Sequence, residues 1–217
     1  MNIVPAILPH TFSEITDKLC RIEGLASLVQ IDLCDGIFGR EITWLPEGTE
    51  VLPASFSYEF DIMLNDWKLY TMHAITIGAT RVVMHVDLFT DEDIATLVSI
   101  VAPRGVALGI AVSNDKSLDF HGDMIRKIRA QYPNIFIQVM GIQNIGEQAQ
   151  LFDEDAVMRI TMLKQQFGDI VIQVDGGMTP ETANKVMHAG AETVIVGSYI
   201  FGGEDAEGAI ERLSLLG

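Results

Sequence analysis

Ile172-Gln173-Val174-Asp175-Gly176-Gly177-Met178-Thr179 is an apolar run ending in Asp-Gly-Gly, and Val194-Ile195-Val196-Gly197-Ser198 is a second ending in Gly-Ser. A helix-length interval separates them. Strand, glycine turn and helix in immediate succession is how consecutive βα units aim backbone N–H groups at a phosphate. The two turns predict a phosphorylated small molecule held by Gly176, Gly177, Gly197 and Ser198, with the Asp175 carboxylate beside it.

Outward from these turns, apolar and β-branched runs recur at Ile3–Leu8, Leu28–Leu33, Ser57–Ile62, Arg81–Val86, Val106–Val112, Ile135–Met140, Ile170–Val174 and Thr193–Val196. Helical spacing lies between and after them at Phe12–Ile22, Trp67–Ile77, Asp91–Val101, Met124–Ala130, Ala156–Phe167, Pro180–Ala189 and Ala206–Leu215. Strands apolar on both faces, alternating with helices, predict a parallel sheet covered by helices. Eight such units predict a single α/β domain over residues 1–217, a (β/α)8 TIM barrel, with an open doubly wound sheet as the alternative. Thr11-Phe12-Ser13-Glu14 and Thr179-Pro180-Glu181 read as helix starts, and Gly78, Gly168 and Gly190 as helix stops. The Pro-, Gly- and Glu-rich stretch from Gly36 to Ser55 has room for one short helix but no clear pattern.

Composition narrows the partners. A net charge of −16, from 14 Lys+Arg against 30 Asp+Glu, repels nucleic acid and anionic membranes. A small phosphate remains compatible, because backbone amides hold anions locally. Two cysteines, Cys20 and Cys34, make no disulfide framework, and no apolar run approaches a membrane span. With no basic leader before Ile3, a soluble cytoplasmic protein is expected. A hydrophobic fraction of 48% is compatible with a homo-oligomer.

In a barrel, chemistry sits at the C-terminal ends of strands. Those ends supply Ala6, Gln30, Asp32, Asp35, Asp61, His85, Ser113, Asn114, Met140, Gln143 and Asp175 in addition to the glycine turns. Asp32, Asp61 and Asp175 would converge on one mouth, where they must bind a cation, hold a proton or shift their pKa values; the alternative is that some of them cap loops. His10, His73, His121 and His188 read as surface residues, Cys34 as a reactive thiol or a small buried filler, and Met63, Met84 and Met140 as packing at the mouth.

Pro5-Ala6-Ile7-Leu8, Gln30-Ile31-Asp32-Leu33-Cys34-Asp35-Gly36, Val174-Asp175-Gly176-Gly177 and Val196-Gly197-Ser198-Tyr199-Ile200-Phe201 together resemble the ribulose-phosphate 3-epimerases. The resemblance spans nearly the whole chain. It implies proton transfer at carbon 3 of a ketose phosphate by two aspartates on opposite faces, at positions Asp32 and Asp175. It also implies a substrate pocket with contributions from Ala6, His85, Met140, Gly141, Gly176, Gly177, Gly197 and Ser198. The family's metal is held by two histidines and two aspartates, and the histidine positions read here as Gln30 and Asp61. The resulting oxygen set, Gln30, Asp32, Asp61 and Asp175, favours Mg²⁺ or Mn²⁺ over Zn²⁺, with no metal as the equal alternative. The family's serine is Ala6, its methionine is Cys34, and its glycine-rich loop is represented by Gly141-Ile142-Gln143-Asn144-Ile145-Gly146. These departures keep open a second function, a catalytically silent phosphosugar-binding protein. A decarboxylase or aldolase of the related phosphate-binding barrels would need Asp-x-Lys-x-x-Asp, whereas Asp32-Leu33-Cys34-Asp35 has no lysine.

Overall fold

The computed structural model describes residues 1–87, 89–147 and 150–215. Eight parallel strands close into a barrel in sequence order: β1 (Asn2–Ile7), β2 (Leu28–Cys34), β3 (Ser57–Met63), β4 (Ala79–His85), β5 (Ala107–Val112), β6 (Ile135–Met140), β7 (Ile172–Asp175) and β8 (Thr193–Val196). The helices are α1 (Phe12–Arg21), α2 (Trp67–Thr76), α3 (Asp91–Val101), α4 (Leu118–Gln131), α5 (Asp155–Phe167), α6 (Pro180–Ala189), α7 (Ser198–Phe201) and α8 (Ala206–Ser214). The TIM barrel expected from the alternation is therefore the fold, and the open sheet is excluded by the pairing of β1 with β8.

Helix starts follow local chemistry. Thr11, Thr90, Ser117 and Thr179 each accept a backbone N–H from the first turn, and Thr90 and Thr179 complete capping boxes with Asp93 and Thr182. The Glu14 carboxylate accepts from His10 N–H rather than from the cap residue itself. Helix α4 begins six residues before the expected Met124, because Ser117 caps it. No helix joins β2 to β3. Its place is taken by an irregular connection in which Trp44, Leu45, Leu52 and Phe56 pack on the core.

Alternation along each strand divides the apolar residues between two cores. Val29, Ile31 and Leu33 of β2, and Phe60 and Ile62 of β3, join the main cluster between sheet and helices. Small clusters of Val4, Ala6 and Ile195, and of Val83, Ala111 and Phe136, fill part of the barrel interior. Met84 belongs to the main core against α2, where Thr71 donates to its sulfur, and not to the barrel mouth as expected. His121, expected on the surface, is fully buried in α4, because Asp87 and Ser113 give its ring polar partners.

Gly109 of β5 leaves the space that the Phe136 ring occupies; a Cβ there would overlap the ring. Gly109→Ala is expected to destabilise the protein by about 1–3 kcal/mol, the usual cost of overpacking. Urea unfolding checks this, and an unchanged midpoint would contradict it.

Candidate active site

The register of the sheet assembles the site. Asp32 pairs with Asp61 across β2 and β3, and Met140 with Asp175 across β6 and β7, so these side chains reach the same end of the barrel. One carboxylate oxygen from each of Asp32, Asp61 and Asp175 lies within 4.8 Å of the others. Gln30, two residues before Asp32 and so on the same face, donates through Nε2 to Asp32 Oδ1 at 2.8 Å and to Asp175 Oδ2 at 3.2 Å. Asp61 accepts at both oxygens: His85 Nε2 lies 3.0 Å from its Oδ1, and Gln138 Nε2 donates to its Oδ2 at 2.8 Å. Oδ2 of Asp32 and Oδ1 of Asp175 have no hydrogen-bond partner among the described residues.

Burial, reinforced by charge crowding, sets the acidities. Burial, then the Asp61 charge, pushes the Asp32 carboxyl up to about 8 against the opposing hydrogen bond from Gln30. Burial raises Asp175 well above the ordinary carboxylate range, reinforced by Asp32 and Asp61. Burial disfavours the His85 cation, but the adjoining Asp61 outweighs it and the pKa rises above that of free imidazole. Asp32 and Asp175 thus form an interacting acid pair in which joint ionisation is disfavoured.

Above them lies a cavity of about 60 Å³, lined by Ala6, Asp32, Met63, Met140, Glu147 and Asp175 among others. Gly176, Gly177, Gly197 and Ser198 line the same cavity, so the two turns and the two aspartates meet as expected. Gly176 and Gly177 have φ of 101° and 68°, and a Cβ on either would collide with Ile142 or Phe152; glycine is required there by packing. No Lys or Arg lies among the described lining residues, so an anion here depends on backbone N–H groups.

Other candidate residues lie elsewhere. Gly141 joins β6 to β7 through its N–H on Asp175 O, outside the cavity lining. His85 is buried under Phe38, edge-on at 5.5 Å between ring centroids. Asp35 caps its own loop, accepting from the N–H groups of Ile37, Phe38 and Asn65, which hold its pKa low despite partial burial. Ser113 donates to Asp87, and Asn114 donates to Ile142 O and Asp153. Gln143 borders a neighbouring hollow rather than the cavity. Cys34 is fully buried against Met63, its thiol pushed up by burial and surrounding carboxylates, which makes it a filler.

The connection after β2 is tied to the loop after β6, whose Gly146 and Glu147 line the cavity. Gly39 N–H donates to Met63 O at 3.3 Å, and the Arg40 and Glu41 N–H groups donate to Ile145 O and Gly146 O at 3.1 Å each. Gly146 permits this contact, because a Cβ there would strike Cys34 Sγ and Gly39.

The sequence reading missed a polar column inside the barrel: Glu59, Arg81, Gln138 and Gln173. Arg81 Nε donates to Glu59 Oε2 at 2.6 Å, and Arg81 Nη2 to Gln173 Oε1 at 2.7 Å. Gln173 Nε2 donates to Glu59 Oε1 at 2.8 Å and to Gln138 Oε1 at 2.6 Å. The available signal was a polar residue at an inward position of an otherwise apolar strand, as in Ile135-Phe136-Ile137-Gln138-Val139-Met140.

Over its full length the chain is similar to ribulose-phosphate 3-epimerases: 27% identical to that of Aquifex aeolicus, over 99% of this chain and 96% of the relative, and 23% identical to that of Bacillus subtilis, over 98% of each. Among solved structures, a 3-hexulose-6-phosphate synthase superposes with a TM-score of 0.72 at 17% identity, covering 100% of this chain and 99% of the other. An orotidine 5'-phosphate decarboxylase from Pyrococcus horikoshii superposes at 0.64 and 15% identity, covering 98% and 99%. These superpositions show the shared barrel. Residues 2–201 match the ribulose-phosphate 3 epimerase family, and the chain belongs to that enzyme family.

Proposed function

We propose that this protein epimerises a ketose phosphate at carbon 3, with Asp32 and Asp175 as the acid/base pair. The observation that carries this reading is that both aspartates line one cavity with Gly176, Gly177, Gly197 and Ser198, while Gln30 bridges the two carboxyl groups. An ionised member of the pair removes the carbon-3 proton beside the carbonyl, giving an enediolate. The protonated member delivers a proton to the opposite face, and the centre inverts. Gln30 N–H keeps both carboxyl groups in register for this exchange.

The residues also fit a divalent cation. Three carboxylate oxygens stand within 4.8 Å of one another, and the buried Gln30 Oε1 has no partner among the described residues. Asp32, Asp61, Asp175 and Gln30 would hold it, and an all-oxygen set suits Mg²⁺ or Mn²⁺ better than Zn²⁺. Bound there, such an ion supplies Lewis-acid stabilisation of the enediolate oxygens. Titration of the purified protein with Mn²⁺, followed by electron paramagnetic resonance, is expected to show one ion per chain and binding at least about ten-fold weaker in Asp32→Asn. Absence of stoichiometric binding would remove the cation from the proposal.

Incubation with ribulose 5-phosphate or allulose 6-phosphate in D₂O tests the proton transfer. Deuterium is expected at carbon 3 of substrate and product. Calorimetric binding of either sugar phosphate without any exchange would replace the epimerase by the silent phosphosugar-binding protein.

A further inference from the structure

The polar column beneath the carboxylates has a fixed direction. Arg81 is donor-only and permanently charged, so the Gln173 atom that faces it at 2.7 Å must be the carbonyl oxygen. Gln173 then turns its Nε2 towards Glu59 Oε1 and Gln138 Oε1, using both amide hydrogens. With its own oxygen thus engaged, Gln138 turns Nε2 to Asp61 Oδ2 at 2.8 Å and Asp175 Oδ2 at 3.4 Å. Turning Gln138 alone would set its oxygen against two carboxylates and its nitrogen against that of Gln173. Turning both glutamines would set an NH₂ group against the guanidinium. None of these side-chain atoms is among the buried polar atoms left without a partner.

We propose that Gln138 is a positioning residue, whose amide orientation is imposed by Arg81 through Gln173 and which thereby presents N–H to Asp175 and Asp61. The proposal rests on the reading of Asp175 as an acid/base group. Gln30 is the instructive contrast: among the described residues its Oε1 has no partner, so its N–H is turned to Asp32 and Asp175 by those two carboxylates alone. Gln138 offers N–H alone, holding Asp175 Oδ2 and leaving Oδ1 as the oxygen for proton transfer. Arg81 itself is held at the opposite end of the barrel, stacked on Phe136 at 4.1 Å from the ring centroid and paired with Glu59.

Two measurements test this. In the resting protein labelled at glutamine side-chain nitrogens, the Gln138 amide hydrogens are expected to be protected from exchange with water, and Arg81→Met to abolish that protection. Should Arg81→Met fail to fold, Gln173→Met is expected to abolish it and Arg81→Lys, which keeps a donor-only cation, to retain it. Protection that survives Gln173→Met, or is absent from the wild type, would overturn the assignment. In carbon-3 exchange, Gln138→Met is expected to lower kcat about 10–100-fold with KM little changed, as for residues that support catalytic groups. Arg81→Met should lower kcat in the same sense, and the double variant should be no slower than Gln138→Met alone. Additive losses, or unchanged kcat in Gln138→Met, would reduce Gln138 to packing. A wild type that exchanges no ketose phosphate overturns the acid/base reading and the positioning role with it, whereas the amide signals report separately whether Arg81 sets the donor.

Discussion

Asp175→Asn is expected to slow carbon-3 proton exchange by about 10²–10⁴-fold, the range supplied by a positioned general acid or base. Affinity for the ketose phosphate should change only a few-fold. Asparagine retains an oxygen to accept from Gln30 and Gln138, so the hydrogen bonds that organise the floor of the cavity survive. What it lacks is a second oxygen able to take or give the substrate's proton. Exchange from the opposite face should persist weakly through Asp32, so the variant should wash deuterium into one epimer faster than it interconverts the two. Exchange at the wild-type rate would sink the two-aspartate mechanism and leave the glycine turns as a binding device. Kinetics followed by proton NMR in D₂O read both outcomes from one sample.

Asp32→Asn is expected to slow exchange in the same way, with residual exchange through Asp175, yet to make the folded protein more stable in alkali. The Asp32 carboxyl is pushed up to about 8 from an ordinary 3.8, so between these values the folded state holds a proton that the unfolded chain releases. Stability from this group is complete below about pH 4 and is lost as pH rises through 8. A shift of roughly four units caps the change at about 6 kcal/mol. Asp175 and Glu59, both raised in the fold and with burial as the leading cause, act in the same direction. The melting temperature of the wild type should therefore fall from pH 6 to pH 9, and Asp32→Asn should fall less. At pH 9 the variant should melt about 5 °C or more above the wild type, since about 1 kcal/mol moves a protein of this size by 2–4 °C. Saturating Mg²⁺ should raise the alkaline limb of the wild type more than that of the variant. Identical pH profiles would show that crowding of the carboxylates is relieved in some other way.

The chain displays its barrel openly because eight apolar, β-branched runs alternate with helical spacing, and every helix start but those of α2, α5 and α7 has a capping side chain. Asp32, Asp175 and the two glycine turns were legible for a related reason: they stand at strand ends, where residues have chemistry rather than packing as their main constraint. Gln138 and Gln173 were hidden by that same rule, because inside a strand a lone polar residue gives no hint of its partner. Gln173 donates to Glu59, 114 positions away in sequence, and only closure of the barrel brings the two together. His121 was misplaced because it stood before the expected helix start at Met124, and nothing local shows that a neighbouring loop supplies Asp87 to satisfy a buried ring. The stretch after Gly36 stayed unread because its structure consists of cross-loop backbone bonds, which leave no periodicity.

That stretch joins two duties that a helix would have kept apart. Its first part, Gly36 to Thr43, is bonded to the loop after β6 that lines one side of the cavity; its second, Trp44 to Phe56, replaces a helix as the cover of β2 and β3. With no helical ladder to stiffen it, the cover is held by side-chain burial and isolated bonds such as Tyr58 OH on Pro53 O at 2.7 Å. Access to the aspartates and solvation of the neighbouring core wall are thus mechanically joined in one ribbon of chain. Amide exchange at Arg40 and Glu41 measures the first, exchange along β3 the second, and a ligand that fixes the loop after β6 should slow both together.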